Sequence, residues 1–599
     1  MALTSSAVLS SISRLLMLVG LCTSSLIIAA AQRPPNVVLI LADDLGFTDL
    51  ASYGSEIQTP NLSALAKAGV SFSNYHTAAN CAPSRAMLLT GVDSHRAGVP
   101  NIPETMPPEQ AAYSHYAGTL GDNVVTVATL LQDAGYHTYM AGKWHLGQTP
   151  GKLPSRRGFE RTLALGDSGA DNWQHKTYLP IYDRANWYAD GEQYQLPEEF
   201  YSSRFLVDKM IEFIDENQHD GAPFFAYLPF QAVHIPVQAP EEFIDRYVGV
   251  YDGGWHAIRD QRQQRAIELG VVPAETGMVE MASTTQWQAL TPVQQAYEAK
   301  RMAVYGAMVE AMDHHIGRLV AHLKRLGEYQ NTVFIFSSDN GAEAMGEAAQ
   351  NTWLNRLALA SQGYSVDYET LGLKGSFNAI SPSFASAAAS PLAYYKFYLG
   401  EGGMRVPMII AGERVPIKDQ FTAAFASVID VAPTILAFTG LAPAPQRYGG
   451  RRVEPMIGRS LLPLVDGSAE AVYGADDAVG FELAGHGALF MGQHKIVLNR
   501  GTYGDGQWHL FNIVLDPGET NDLSEENPLL LQRMLARYQA YVKDNNILPI
   551  PDGYRHERQI VLNALQKRYA DEILVSLLLL LILLPFALVY RARLKRRSE

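Results

Sequence analysis

The sequence predicts an α/β protein in which helices cover both faces of a large, parallel or mixed sheet. Apolar residues make up 47% of the 599 residues and charged residues 18%, which favours a packed globular body. The run at residues 37–42 is continuously apolar, as in strands buried on both faces. Amphipathic helical segments alternate with such runs, as at residues 203–218 and 222–230. This alternation is typical of layered α/β folds.

The same alternation continues along the chain. A short helix is predicted within residues 59–70, and a helix ending near Gly135, followed by a strand and a Gly-bounded loop, within residues 123–147. A long helix followed by a strand is predicted within residues 303–341. Residues 406–441 continue the pattern.

Two regions interrupt the alternation. Residues 341–395 are rich in Ala, Ser and Gly and are predicted to be an insertion in a catalytic domain that spans residues 32–470. Residues 471–545 carry short apolar runs separated by Gly-rich turns, then a helical segment. They predict a small C-terminal subdomain with an antiparallel sheet.

The two ends of the chain predict export and anchoring. Residues 1–31 resemble a signal peptide with a small-residue cleavage site, although an uncleaved anchor is the alternative. Residues 546–572 are predicted to be a stalk, and residues 573–590 carry no charge and are long enough to span a bilayer. The basic tail at residues 591–599 predicts a cytoplasmic end, with the catalytic domain periplasmic or extracellular. A buried core helix is the alternative for residues 573–590.

Net charge and cysteine count exclude two kinds of protein. The formal net charge of −14 argues against a nucleic-acid-binding protein, which needs a basic surface. The chain has two cysteines, and Cys22 lies in the predicted signal peptide. Cys81 therefore has no partner for a disulfide within the mature chain, so a disulfide-stabilised fold is excluded.

Carboxylate and amide side chains follow two of the predicted strands. Asp43 and Asp44 end the first strand, and Asp339 and Asn340 end the strand that follows the long helix. Ligands of open α/β sheets bind beyond the carboxyl ends of the strands. Four oxygen-bearing side chains there suit a hard divalent cation, Ca²⁺ or Mg²⁺. Helix capping and turn formation are the alternative roles.

The cysteine in "CAPSRAMLLTG", residues 81–91, lies at the start of a predicted helix. A group at a helix N-terminus faces unpaired N–H donors and the positive end of the helix dipole. Arg85, one turn further on, points back towards the same end. An anion near Cys81 would be stabilised, and a thiolate nucleophile of a cysteine hydrolase also fits.

Four further basic or histidine side chains lie near predicted strand ends. Lys143 and His145 are two residues apart after a strand, so they point to the same side of an extended segment. His234 follows another strand, and Lys396 precedes a Gly-rich turn. Each alone is more simply a solvated lysine or a core histidine. Their common position near strand ends favours an anion-binding site.

These motifs resemble the sulfatase family over roughly residues 35–540. Residues 81–91 match the signature C-x-P-S-R-x-x-x-L-T-G, and residues 135–147, "GYHTYMAGKWHLG", match the second signature. Residues 508–523 resemble the segment that closes the sulfatase C-terminal subdomain. The pattern is most similar to bacterial arylsulfatases and alkylsulfatases of the alkaline-phosphatase superfamily, and Val92 replaces a residue that is basic in many members. The resemblance implies an alkaline-phosphatase-like sheet.

The resemblance also implies the cofactors and the reaction. Cys81 would be oxidised to Cα-formylglycine (3-oxoalanine) by a formylglycine-generating enzyme that reads the C-x-P-S-R context. The hydrated aldehyde would attack sulfur with one hydroxyl, and the second hydroxyl would expel sulfate. Sulfate monoesters, aryl or alkyl, would thus be hydrolysed to an alcohol and inorganic sulfate. The organic part could be a small molecule, a glycan or a lipid.

Each site residue receives a role from the resemblance. Ca²⁺, with Mg²⁺ less favoured, would be held by Asp43, Asp44, Asp339, Asn340 and the oxygen derived from Cys81. Arg85 and Lys143 would fix the ionised diol, and His145 would be the base for its second hydroxyl. His234 and Lys396 would bind sulfate, and one of them would protonate the leaving alcohol.

Two alternatives to a sulfatase remain open at this stage. Some relatives with formylglycine hydrolyse phosphate or phosphonate monoesters, and the charge of the preferred substrate distinguishes them. A non-catalytic Ca²⁺-binding protein would keep the ligands without turnover. Residues 171–190 and 363–398 are predicted from position and composition to line the pocket for the organic part of the substrate.

Overall fold

The computed structural model describes residues 33–345 and 353–598. The predicted signal peptide at residues 1–31 lies outside the described residues, as does part of the predicted insertion, residues 346–352. The described chain confirms the α/β prediction, because helices pack on both faces of a large mixed sheet.

The strands, numbered along the chain, are β1 (Asn36–Ala42), β2 (Gly69–Phe72), β3 (Tyr75–His76), β4 (His137–Lys143), β5 (Arg161–Leu165), β6 (Trp187–Ala189), β7 (Glu192–Gln193), β8 (Phe224–Pro229), β9 (Thr332–Ser338), β10 (Met408–Ala411), β11 (Gln420–Thr422), β12 (Ala426–Ser427), β13 (Arg447–Tyr448), β14 (Arg451–Arg452), β15 (Ala478–Leu483), β16 (His486–Met491), β17 (His494–Leu498) and β18 (Trp508–Asn512).

The α-helices are α1 (Pro60–Lys67), α2 (Cys81–Thr90), α3 (Pro108–Ala111), α4 (Val127–Asp133), α5 (Ser202–Asn217), α6 (Glu241–Ile244), α7 (Gly254–Glu268), α8 (Pro292–Leu326), α9 (Trp353–Ser361), α10 (Pro382–Ala388), α11 (Glu401–Met404), α12 (Val431–Thr439), α13 (Leu462–Val465), α14 (Pro528–Asp544) and α15 (His556–Ser598). A 3₁₀ turn at Pro103–Thr105 matters for the site described below.

The large sheet has ten strands in the order β11-β2-β10-β9-β1-β8-β4-β5-β6-β7. Its centre is parallel, since β1 pairs in parallel with both β8 and β9. The antiparallel strand β10 between β2 and β9 makes the sheet mixed. In this register Ala42 lies opposite Ser338, so the residues that follow β1 and β9 emerge side by side at one edge.

The packing of strand β1 explains why its sequence is apolar at every position after Asn36. Val38 and Ile40 belong to the core on one face, and Val37 and Leu39 to the core on the other. The first core includes residues of α5 and α8, and the second includes residues of α2 and α12. A strand buried on both faces cannot alternate apolar with polar residues, which is the pattern that the sequence shows.

The long helix α8 begins earlier than predicted. Its N-cap residue Thr291 forms a capping box with Gln294, and Pro292 occupies the first helical position. The helix ends at Gly327, whose φ of 74° is a left-handed conformation that glycine adopts without strain. These two signals set the bounds, whereas the apolar pattern alone indicated only the buried middle of the helix.

A four-stranded antiparallel sheet, β15-β16-β17-β18, follows the large sheet in the chain. Helix α14 packs on it through Met534, which joins Leu489, Ile496 and Leu510 in a small separate core. The division of the chain into a catalytic domain, a subdomain and a stalk stays a prediction.

The C-terminal helix corrects the prediction of a membrane anchor. Residues 573–590 belong to α15, a single helix of 43 residues that contains Pro585. No helix within the described ranges combines the length and the apolar composition needed to cross a membrane. The predicted transmembrane helix, and with it the membrane-anchored localisation with a cytoplasmic tail, is therefore wrong. The prediction combined the uncharged run with the basic tail that follows it, whereas in the structure the run is the interior of a longer helix with charged residues on both sides.

Candidate active site

The residues that follow β1 and β9 meet at one edge of the large sheet. The backbone N–H of Asp44 donates to Asp339 Oδ1 at 3.2 Å, and Asn340 Nδ2 donates to Asp44 Oδ1 at 2.6 Å. Asp43, Asp44, Asp339 and Asn340 are all fully or almost fully buried. The parallel register of β1 and β9 thus brings four polar side chains from distant parts of the chain into contact.

Cys81 lies at the N-terminus of α2, within reach of these carboxylates. The side chain of Asn80 caps the helix and accepts from the Cys81 N–H at 2.8 Å. The helix ends at Gly91, which has a φ of 64°. Cys81 Sγ lies 3.8 Å from Asp44 Oδ1. Burial raises the pKa of the Cys81 thiol well above its ordinary value, although the charge of Lys143 acts in the opposite direction.

Arg85, one turn along α2, bonds to Asp339, which follows β9, and to Lys143, the last residue of β4. Its Nε and Nη2 lie 2.8 Å and 2.7 Å from Asp339 Oδ2, and its Nη1 donates to the Lys143 carbonyl at 2.8 Å. Burial lowers the pKa of this guanidinium, but the charges of Asp339 and Asp43 outweigh it and raise the pKa. Arg85 therefore stays protonated and fixes the position of Asp339.

Two lysines neutralise the aspartates that end β1. Lys143 Nζ donates to Asp43 Oδ2 at 2.7 Å, and Lys396 Nζ donates to Asp44 Oδ2 at 2.9 Å. Lys396 Nζ also lies 3.2 Å from a carboxylate oxygen of Glu343. Burial raises the pKa of Asp44, yet the charges of Lys396 and of its other basic neighbours outweigh burial, so the pKa is lowered. Asp44 is thus ionised.

His234 approaches the same carboxylate from the loop after β8. Its Nε2 lies 3.6 Å from Asp44 Oδ2, and its Nδ1 lies 2.8 Å from the Ile235 carbonyl. A carbonyl oxygen only accepts, so Nδ1 carries the proton and Nε2 faces the site. Burial, followed by the charge of Lys143, lowers the pKa of His234, which favours the neutral imidazole.

The carboxylate oxygens at this edge fit a divalent cation. Asp43 Oδ1 and Asn340 Oδ1 are buried and accept no hydrogen bond from the described residues, although Arg85 Nη2 lies 3.5 Å from Asp43 Oδ1. Burial and the charge of Asp43 raise the pKa of Asp339 to about 6, because the carboxylates repel one another. Ligand atoms of Asp43, Asp44, Cys81 and His234 lie within 4.8 Å of one another. Unpaired oxygens and mutual repulsion are the features that a bound cation would relieve, so this buried cluster could hold a metal ion.

His145 lies beside this group and faces a second carboxylate. Its Nε2 is 3.2 Å from Glu104 Oε2, and its Nδ1 is buried without a hydrogen-bond partner. Its φ of 55° is a left-handed backbone conformation, which is uncommon for a residue other than glycine. Burial lowers the pKa of His145, although Glu104 acts in the opposite direction.

The structure therefore brings the predicted site residues together. Nine of them are in direct contact through the bonds and ion pairs given above, and His145 lies close enough for the charges of Lys143 and Arg85 to act on it. Both segments predicted to line a pocket reach this region. The ring centroid of Tyr178 lies 6.4 Å from that of His234 and 5.5 Å from that of Phe377.

Sequence reasoning missed two residues that touch the site, Glu343 and Glu104, whereas Tyr182 lies in the segment 171–190 that was predicted to line the pocket. Glu343 comes three residues after Asn340, so its place near a strand end was a usable signal. Glu104 lies in a Pro-rich segment, and Tyr182 donates its hydroxyl to Glu104 Oε1 at 2.7 Å. No spacing in the sequence relates Glu104 or Tyr182 to His145, so only the fold reveals this contact.

Comparisons with known proteins agree with this geometry. The sulfatase family model matches residues 35–441. An uncharacterized sulfatase of Schizosaccharomyces pombe is 35% identical over 546 residues, which cover 88% of this chain and 96% of that protein. The arylsulfatase of Klebsiella aerogenes is 38% identical over 439 residues, which cover 72% of this chain and 92% of that enzyme.

Solved structures of low sequence identity share the fold. The crystal structure of Ps i-CgsB in complex with k-i-k-neocarrahexaose has a TM-score of 0.61 at 23% identity, covering 90% of this chain and 99% of that one. The PsFucS1 sulfatase from Pseudoalteromonas sp. has a TM-score of 0.56 at 21% identity, with 88% and 93% covered. The resemblance inferred from the signatures is confirmed: the chain belongs to the sulfatase family and is a sulfuric ester hydrolase.

Proposed function

We propose that this enzyme hydrolyses aryl or alkyl sulfate monoesters with a formylglycine made from Cys81 and a bound Ca²⁺. One observation carries the proposal: three buried cationic side chains and His234 surround the same carboxylate cluster that Cys81 faces. A site of this kind combines a group for attack, positive charge for a sulfate, and a place for a divalent cation. Hard oxygen ligands favour Ca²⁺ or Mg²⁺, and the family resemblance favours Ca²⁺.

The environment of Cys81 supports a precursor rather than a working thiol. Burial raises the pKa of the thiol, so little thiolate forms at neutral pH. The side-chain partner of Sγ within the described residues is the carboxylate of Asp44, which repels a thiolate. A cysteine hydrolase needs a base beside the sulfur and a positive field strong enough to form the thiolate, whereas here burial outweighs the charges of Lys143 and Lys396. The hydrated aldehyde of a formylglycine would supply the attacking hydroxyl instead.

The cation has a defined place in this proposal. Asp43, Asp44, Asp339 and Asn340 would hold it through the oxygens that lie together at the ends of β1 and β9. When bound, it would neutralise charge on a sulfate oxygen and on the oxygen at residue 81. Lys143 and Lys396 contact Asp43 and Asp44. With the cation bound to these aspartates, the positive charge of the two lysines would be partly available to attract the substrate.

The remaining side chains bind the sulfate and move protons. Arg85 and Lys143 lie close enough to Cys81 for its charge to act on them, and they would hold the residue-81 oxygens. His145 Nδ1, which has no partner, would accept the proton of the second hydroxyl as sulfate leaves. His234 Nε2 and Lys396 Nζ both lie near Asp44 and would bind sulfate oxygens. Lys396 carries a proton, whereas His234 is neutral, so Lys396 would protonate the leaving alcohol.

The names of the similar proteins bear on the substrate class. The Klebsiella aerogenes relative is named an arylsulfatase, and the Ps i-CgsB structure holds a neocarrahexaose. Tyr178 lies beside His234 and Phe377 packs against Tyr178, so these two rings would contact an aryl group or a sugar ring. We take aryl sulfates as the first substrates to test and sulfated glycans as the second.

The proposal is tested at residue 81. Mass spectrometry of the peptide that contains residue 81 should show the aldehyde, and the enzyme should release sulfate from 4-nitrophenyl sulfate faster than phosphate from 4-nitrophenyl phosphate. Cys81→Ala should remove turnover with an unchanged melting temperature, because the side chain bonds no other cysteine. Cys81→Ser should give at most one turnover, unless the maturation enzyme accepts serine. Wild-type turnover by Cys81→Ala would refute the proposal.

A further inference from the structure

We propose that Glu104 is a positioning residue for His145, and that the C-terminal helix α15 holds Glu104 in place. The inference deepens the proposed function, because it rests on His145 as the base that acts on the second hydroxyl of residue 81. It also gives the last helix of the chain a part in catalysis.

The first contact is between the carboxylate and the imidazole. Glu104 Oε2 lies 3.2 Å from His145 Nε2, and the two side chains are only 1% and 2% exposed. An ionised carboxylate only accepts hydrogen bonds, so Nε2 carries the proton and Nδ1 has a free lone pair. Nδ1 is buried and has no hydrogen-bond partner, as a base that awaits a reacting hydroxyl would be.

The second oxygen of the carboxylate is also bound. Tyr182 donates its hydroxyl to Glu104 Oε1 at 2.7 Å. With one oxygen held by Tyr182 and the other facing His145, the carboxylate plane cannot rotate freely. A ring that is hydrogen-bonded to a fixed carboxylate keeps its tautomer and its orientation, as in other histidine–carboxylate pairs.

Helix α15 and the segment before it bind the backbone carbonyls of Glu104 and of the two residues that follow it. Asn563 Nδ2 donates to the carbonyls of Glu104 and Met106, at 3.0 Å each. Just before the helix, Tyr554 donates its hydroxyl to the Thr105 carbonyl at 2.9 Å. These three bonds fix the 3₁₀ turn that carries Glu104, although they come from residues about 450 positions later in the chain.

The helix also reaches Tyr182 directly. The Lys567 ammonium lies 4.6 Å from the centroid of the Tyr182 ring, within the range of a cation–π contact. Helix α15 therefore supports Glu104 through its backbone and through the partner of its side chain. A shift of the helix would move the carboxylate and, with it, the imidazole of His145.

The first experiment replaces the carboxylate by an amide of the same shape. Glu104→Gln should lower kcat by about 10- to 100-fold, as for other residues that orient a catalytic histidine, and leave KM unchanged. The rate is divided by the fraction of formylglycine at residue 81, measured by mass spectrometry, so that incomplete maturation is not counted. Glu109→Gln, at an exposed position in α3, is the matched control and should keep wild-type kcat.

A double mutant shows whether Glu104 acts through His145. His145→Ala should lose most of the activity, and adding Glu104→Gln to it should cause no further loss. If the Glu104→Gln loss is the same with and without His145, Glu104 has only a structural role and the inference is wrong. If His145→Ala keeps wild-type kcat, the proposed base is wrong. If His145→Ala is inactive while Glu104→Gln keeps full kcat, the base stands and the inference falls.

The contribution of α15 is tested in the full-length chain. Asn563→Ala removes both backbone bonds and should lower kcat by about two- to tenfold with KM unchanged. Gln566→Ala, an exposed position three residues further along the same helix, is the control and should keep wild-type kcat. Equal kcat values for the two variants, at equal formylglycine content, would overturn the part of the proposal that concerns the helix.

Discussion

The candidate active site and the junction between the large and small sheets both bury carboxylates beside basic side chains. At the junction, Lys495 Nζ donates to Glu401 Oε1 at 2.9 Å and to Glu519 Oε1 at 2.8 Å. His76 Nε2 lies 2.9 Å from Glu401 Oε2, and the Glu401 N–H donates to Glu519 Oε2 at 2.9 Å. Arg405 completes this group, which we call the Glu401 cluster.

The two sites differ in how their oxygens are paired. Each carboxylate oxygen of the Glu401 cluster has a partner, whereas Asp43 Oδ1 and Asn340 Oδ1 in the candidate site accept no hydrogen bond within the described part of the chain. Burial raises the pKa of Glu401, but the charges of His76 and Lys495 outweigh it and lower the pKa. The pKa shifts do not separate the two clusters, because burial raises the pKa of Glu519 beside Glu401. In the candidate site burial raises the pKa of Asp339, while basic neighbours outweigh burial and lower that of Asp44. We therefore expect the fully hydrogen-bonded carboxylates to stabilise the fold, and the cluster that keeps two oxygens without a hydrogen bond to receive a ligand.

The largest expected effect comes from breaking the candidate site. Asp339→Asn should lower kcat by more than about 10³-fold, because the loss of a ligand charge removes several kcal/mol of electrostatic stabilisation. In the wild type, Ca²⁺ added after chelation should raise the melting temperature, since a ligand that binds only the folded state stabilises it. Asp339→Asn should abolish that rise.

Glu298→Gln provides the control for a buried acidic residue outside the candidate site, since its carboxylate pairs with Arg301 at 2.6 Å. This variant should keep the Ca²⁺-dependent rise in melting temperature. If the wild-type melting temperature does not respond to Ca²⁺ or Mg²⁺ after exhaustive chelation, the candidate site would not differ from the Glu401 cluster in binding a cation.

Strand ends explain how much of the candidate site the sequence could predict. Asp43 and Asp339 could be related because parallel strands end at the same edge, and the register of β1 and β9 places them there. Glu104 could not be found, since its contact with His145 depends on how a 3₁₀ turn packs under a distant helix. The Glu401 cluster was equally hidden, because its members come from four separate segments.

In the C-terminal helix, the sequence led to a prediction that the structure contradicts. Residues 573–590 were judged by their composition and by the basic tail that follows them, and the prediction of a membrane span was wrong. The same helix holds the turn that carries Glu104 through Asn563, which no local pattern indicated. The composition of a segment predicts whether it is apolar or charged, but the residues that it contacts depend on the tertiary fold.

The second prediction breaks the paired cluster. Lys495→Met leaves Glu401 and Glu519 buried without their shared cation, which should cost about 3–5 kcal/mol in the free energy of unfolding. The folded fraction should keep a near-normal kcat, because the cluster does not touch the candidate site. Denaturant unfolding together with the rate per folded molecule measures both quantities.

Arg533→Met is the surface control for this prediction. The pair of Arg533 with Asp476 is exposed, so its loss should cost less than about 1 kcal/mol. If Lys495→Met were no more destabilising than Arg533→Met, full pairing would not identify a stabilising cluster.

The smallest expected effect is the pH dependence of the stability that His95 contributes. His95, in the loop after α2, bonds to strand β15 of the small sheet, with Nδ1 3.2 Å from Asp93 and Nε2 2.7 Å from Glu482. Burial lowers the pKa of His95, but its bonds to Asp93 and Glu482 outweigh burial and raise the pKa to about 9. A raised histidine pKa stabilises the fold below the unfolded value of about 6.5, and this stabilisation is lost as the pH rises through about 9.

His95→Gln should therefore lower the free energy of unfolding by about 3 kcal/mol at pH 6, and by progressively less as the pH approaches 9. Glu482→Gln removes one of the two partners, so its loss at pH 6 should be smaller than that of His95→Gln, and the stabilisation that His95 still provides in this variant should end at a lower pH than in the wild type. Denaturant unfolding of the three proteins at pH 6, 7, 8 and 9 gives the comparison. A difference between wild type and His95→Gln that stays constant over this range would mean that His95 contributes by packing, and that its charge does not stabilise the contact with Asp93 and Glu482.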